Sequence, residues 1–82
     1  MSRLKVSIRQ IKAARELLAW SQDHLAKASG ISLPTIKRLE SEDGALGGRD
    51  ETQEKIVSAL QKAGIEFTNG DGPGVRLKKK RR

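Results

Sequence analysis

The stretch QDHLAKASGISLPTIKRLE, Gln22 to Glu40, constrains this chain more than any other. At helical spacing Leu25, Ala26 and Ser29 fall on one face of a short helix. Gly30 then interrupts it, because a residue without Cβ turns the backbone through positive φ at no steric cost. Ser32 stands where a side-chain oxygen caps the next helix, and Pro34 sits in the first turn, where its missing N–H is not needed. Ile36 and Leu39 give that second helix an apolar stripe. A small residue at the crossing, a glycine in the turn and a branched residue beyond it are what two helices need to pack steeply and closely. The second helix is then held with one face open.

The rest of the chain supplies a support for this pair. Ser7, with Gln10 three residues on, reads as a capping box opening a first helix. Ile8, Ile11, Ala14 and Leu18 recur at three- and four-residue steps, and Trp20 marks that helix's end. Ser21 caps the second helix, Gln22 to Ser29, and the third runs from about Leu33 to Glu40. SEDGALGG, Ser41 to Gly48, has no periodicity and three glycines, so it reads as a loop. Asp50, with Gln53 behind it, is expected to cap a fourth helix reaching about Ala63, with Gly64 as its stop. Beyond it IEFT and VRLK flank NGDGPG, a pattern of two short strands forming a hairpin or a pair of extended arms. The expected fold is mostly α: a compact four-helix domain over 1–64, a β-arm or hairpin over 65–78 serving dimerisation, and a basic flexible tail over 79–82.

Eighty-two residues allow one small core. No run of about eighteen apolar residues offers a membrane span, and no apolar N-terminal stretch resembles a secretory signal. Cysteine is absent and histidine occurs once, so disulfides and Cys or His metal clusters have no ligands to draw on, in keeping with a reducing cytoplasm. His24 neighbours Asp23, but adjacent helix residues do not face each other, and no catalytic pair results. The expectation is a protein that is not an enzyme, with no cofactor and no metal. The net charge of +7 is unevenly placed. Arg76 to Arg82, RLKKKRR, holds six of the seventeen basic residues, leaving eleven against ten acidic ones before it. Such an end attracts phosphates without regard to sequence, or simply keeps the chain soluble.

Through Ser21-Gln22, Leu25-Ala26, Gly30-Ile31-Ser32, Ile36 and Leu39-Glu40, the chain resembles the Cro/cI-type (lambda-repressor-like, XRE) helix-turn-helix family over roughly Ile8 to Ala63. The resemblance implies that Gln22 donates to a backbone phosphate. It also implies that Arg15 and Glu40 form a partly buried ion pair tying the first helix to the third; two solvated charges are the plainer reading. With Ile36 and Leu39 inward, Leu33, Pro34, Lys37, Arg38 and Ser41 are expected on the face a groove-inserted helix presents to base edges. Lys37 or Arg38 can bond guanine O6 and N7, and Leu33 can touch a thymine methyl; alternatively the two cations only hold phosphates. Thr35 serves a phosphate or its own backbone. Arg49 reaches a phosphate or the minor groove, or stays solvated. Lys78, Lys79, Lys80, Arg81 and Arg82 are expected on phosphates.

The chain departs from the family after Gly64, where phage repressors continue into a fifth helix that helps form their dimer. Dimerisation is expected instead through Ile65, Phe67, Val75 and Leu77, each run offering one apolar face by alternation. The alternative is a segment folded back over its own fourth helix in a monomer. The function implied is a sequence-specific regulator, a repressor, binding double-stranded DNA at a pseudo-palindromic operator as a homodimer, cytoplasmic and nucleoid-associated. Two other readings are a protein-interaction module that binds a protein partner on the same fold, and an antitoxin-like DNA binder with a toxin partner.

Overall fold

The structure is a computed structural model that describes residues 6–42, 50–68 and 72–78. Four helices precede two strands: α1 (Ile8–Leu17), α2 (Gln22–Ser29), α3 (Leu33–Glu40), α4 (Asp50–Lys62), β1 (Ile65–Thr68) and β2 (Gly74–Leu77). The capping box at Ser7 and Gln10 is complete. The Gln10 N–H donates to Ser7 Oγ at 3.2 Å, and the Ser7 N–H donates to Gln10 Oε1 at 2.9 Å.

α1 stops before Trp20. Ala19 lies at φ +58°, in the left-handed region, and lets the chain reverse. The Ala19 N–H donates to Glu16 O at 3.0 Å and the Trp20 N–H to Arg15 O at 2.9 Å. This is the paired hydrogen bonding of a helix terminus that ordinarily carries glycine at the reversing residue. Asp50 is the first helical residue of α4, and with Glu51 it places negative charge at the positive end of the helix dipole. α4 ends at Lys62, and Gly64 at φ +109° supplies the stop.

The two strands form an antiparallel hairpin, with Ile65 opposite Leu77, Glu66 opposite Arg76, Phe67 opposite Val75 and Thr68 opposite Gly74. The Lys78 N–H donates to Gly64 O at 2.8 Å and closes its open end. Among the described residues the hairpin is the only sheet. It lies on the helices. Ile65 and Phe67 are buried in one cluster with Ile8, Ile11, Leu25, Ile36, Ile56 and Leu60, and Val75 packs against that cluster. Helices and hairpin thus share one core. A hairpin alone buries too little to persist in water, whereas each fully buried aliphatic or aromatic side chain contributes about 1.5–3 kcal/mol. Gln10, almost fully buried, fastens the far end: its Nε2 donates to Thr68 O at 3.2 Å and to Gly74 O at 2.9 Å. Among the described residues no helix is long and apolar enough to cross a membrane.

Candidate nucleic-acid interface

α2 and α3 are each set by local chemistry. Ser21 Oγ accepts the His24 N–H at 3.0 Å and fixes the start of α2. α2 ends on Gly30, at φ +77°, whose N–H donates to Ala26 O at 2.9 Å. A Cβ there would meet nothing within 4 Å, so the turn needs glycine for its backbone angle and not for space. The Ile31 N–H donates both to Ala26 O at 3.2 Å and to Ser29 Oγ at 3.3 Å, which fastens the turn to the helix it leaves. Ser32 then caps α3, taking the Thr35 N–H at 3.4 Å.

α3 turns Ile36 and Leu39 inward, 1% and 2% exposed. Pro34, Lys37, Arg38 and Ser41 are all exposed, and their spacing of three, four and seven residues puts them on one stripe. Lys37 and Arg38 carry that stripe's positive charge and make no ion pair among the described residues. Leu33 straddles the two faces. It is half-buried and packs against the core, because it lies one helical turn from Ile36 and two from Glu40 on the inward flank. Thr35 is half-buried, and its Oγ1 accepts the Ser32 hydroxyl at 2.9 Å, so the cap already uses it. Ser41 Oγ donates to Arg38 O at 2.7 Å and closes the end of the helix.

Behind this stripe lies a polar junction. Arg15 and Glu40 meet as a two-pronged pair: Arg15 Nε donates to Glu40 Oε2 at 3.0 Å and Nη2 to Oε1 at 2.9 Å. Their side chains are only 13% and 4% exposed. Arg15 Nη1 also donates to Trp20 O at 3.0 Å, so one guanidinium joins α1, the α1–α2 turn and the end of α3. Parallel paired bonds of this kind are stronger and better oriented than a single contact. Gln22, the first residue of α2, joins α2 to the same junction, donating through Nε2 to Glu40 Oε1 at 3.0 Å.

Lys78 is exposed just beyond β2. Arg49, Lys79, Lys80, Arg81 and Arg82 lie outside the described residues. Of the four residues assigned to dimerisation, Ile65 and Phe67 are 3% and 8% exposed beneath the chain's own helices, Val75 is half-buried, and Leu77 is 42% exposed. The chain's own core thus occupies the apolar face that the alternation of Ile65 and Phe67 offered to a second copy.

Two features escaped the sequence. The Gln22–Glu40 bond spans eighteen positions and needs the helix-turn-helix geometry to be seen. His24 is not alone: its ring stacks on Trp20 at 4.2 Å between centroids, 10° from parallel. The four-residue spacing was visible, but Trp20 precedes the helix and was read only as the end of the first.

Comparison with known proteins agrees with this geometry. Residues 11–49, just under half of the chain, match a helix-turn-helix family model. No curated protein matches the chain. The segment bearing α2 and α3 is thus similar to the Cro/cI-type helix-turn-helix, the DNA-binding domain of XRE-family transcription regulators.

Proposed function

We propose that this helix-turn-helix protein is a sequence-specific DNA-binding regulator that represses transcription by occupying an operator. The observation that carries the reading is α3: Ile36 and Leu39 are spent on the core, while Pro34, Lys37, Arg38 and Ser41 form one outward stripe whose two cations make no ion pair among the described residues. A helix held in this way enters the major groove and meets base edges with its exposed side chains. Lys37 or Arg38 bonds guanine O6 and N7, and Gln22 takes a flanking phosphate. Leu33 is left to support the helix rather than to touch a thymine. Arg49, Lys78 and the cationic residues 79–82 add phosphate contacts, which strengthen binding to any duplex and make it salt-dependent. The protein works in the cytoplasm, on the nucleoid.

The operator is pseudo-palindromic and the protein binds it as a homodimer, since two recognition helices spaced about 34 Å apart match half-sites one DNA turn apart. Because Ile65 and Phe67 are spent inside the protomer, the second copy meets the outer surface of the hairpin, where Leu77 is exposed. Sedimentation of the full chain and of Leu77→Lys tests this clause: a wild-type dimer that the substitution dissociates supports it, and a wild-type monomer at tens of micromolar removes it.

Repeated selection from a pool of random duplexes, followed by titration of the winner across salt concentrations, tests the main reading. A common motif bound at roughly ten nanomolar or tighter, surviving competitor DNA, is the expected result. Selection that converges on no motif, with only weak binding erased by salt, would overturn it.

A further inference from the structure

Glu40 governs what Gln22 offers to the outside. A carboxylate only accepts hydrogen bonds, whereas a carboxamide donates from one end and accepts at the other. Gln22 Nε2 stands 3.0 Å from Glu40 Oε1. If the amide were flipped, its own oxygen would face a carboxylate oxygen at that distance, and two acceptors repel. Glu40 therefore selects one of two orientations that are otherwise nearly equal in shape. The carboxylate is itself held still, since the Arg15 fork fixes its plane and the Trp20 carbonyl fixes the fork. The guanidinium also balances the negative charge, so an anion approaching Gln22 does not meet a bare carboxylate. Among the described residues the Gln22 oxygen and the second Nε2 hydrogen take no partner. Gln22 is half-buried, and it opens α2 at the end where free backbone N–H groups favour negative charge.

We propose that Glu40 is a positioning residue for DNA binding: it locks the Gln22 carboxamide in the orientation that leaves one N–H for a backbone phosphate of the duplex. The inference rests on the reading of α3 as the DNA-binding helix and assigns to the junction behind it a part in the grip. Without Glu40 the carboxamide samples both orientations, and half of them present an oxygen to the phosphate.

The test uses the full-length chain, a selected duplex of about twenty base pairs, fluorescence anisotropy, and a double-mutant cycle of Gln22→Met and Glu40→Gln. Each single substitution is expected to weaken binding by about five- to tenfold, the scale of one hydrogen bond to a charged group. The double variant is expected to bind within about twofold of the weaker single one, because the same contact has been removed twice. Multiplying losses, or a Gln22→Met chain that binds like wild type, would overturn the proposal. Glu40→Gln disturbs a buried pair, so the side-chain NMR of Gln22 in the free wild-type chain gives an independent reading. Two well-separated Nε2 proton signals, one of them slow to exchange with water, are expected; two signals exchanging alike and fast would overturn the locking. A wild-type chain that binds no duplex would overturn the reading of function, and the phosphate contact with it, even where the NMR signature is present.

Discussion

Replacing Gln10 with leucine should loosen the hairpin from the helices while leaving the volume of the site almost unchanged. Gln10 is 4% exposed, and its carboxamide serves three described backbone groups: it accepts from the Ser7 N–H and donates to Thr68 O and Gly74 O. Each such bond contributes about 0.5–1.5 kcal/mol net. Leucine also leaves the two carbonyls facing an apolar group, but Thr68 is exposed and Gly74 half-buried, so water recovers part of the loss. The sum is a destabilisation of about 2–3 kcal/mol, against a total of about 4–12 kcal/mol for a chain of this length. The melting temperature should fall by roughly 10–20 °C. Urea unfolding followed by circular dichroism measures the loss, and amide hydrogen exchange locates it. Protection should drop most at β1 and β2 and least at α2 and α3. A variant within about 0.5 kcal/mol of wild type, or protection lost evenly over the chain, would show that Gln10 does not fasten the hairpin.

Three other outcomes follow from the backbone and the charges. Ala19→Gly should stabilise the chain by about 0.5 kcal/mol in urea unfolding, since relief of a left-handed alanine slightly exceeds the entropy that glycine adds to the unfolded state. Gly64→Ala should destabilise by about 1–2 kcal/mol and Gly30→Ala by about 1 kcal/mol. The ordering arises because Gly64 lies at φ +109° with Leu77 Cδ1 at 3.4 Å from a new Cβ, whereas Gly30 lies at φ +77° in open space. Ending the chain at Lys78 should weaken binding to selected and random duplexes by similar factors and flatten the dependence of log K on log salt, as anisotropy titrations would measure; an unchanged slope would make the tail a bystander.

The helices were legible because their signals are local. Ser7, Ser21 and Ser32 each take an N–H three residues on, and Gly30 turns where the sequence placed a turn. Alternation marked IEFT and VRLK as extended segments, a hairpin or a pair of arms; the structure pairs IEFT with GVRL, and what covers its apolar face was not legible. Alternation says that Ile65 and Phe67 share a side; only the packing of α1 and α4 shows that the chain itself fills it. At α3 the charged stripe followed from Ile36 and Leu39, whereas Leu33 sits on the border of the two faces, and a wheel assigns a border residue no side. Gln22 illustrates the remaining limit. Its place at the head of α2 was readable, yet its bond to Glu40 depends on the angle between two helices, which no short window of sequence encodes.

The central claim is that the outward stripe of α3 reads base sequence, and the binding of Lys37→Ala and Arg38→Ala to the selected duplex and to its single-base-pair variants tests it most directly. At least one of the two should lose about 1–3 kcal/mol on the selected duplex, and should lose discrimination at one base pair while keeping it at the others. If both variants bound the selected duplex with wild-type affinity and wild-type preference at every position, α3 would not be the reader, and the account given for this protein would be wrong at its core.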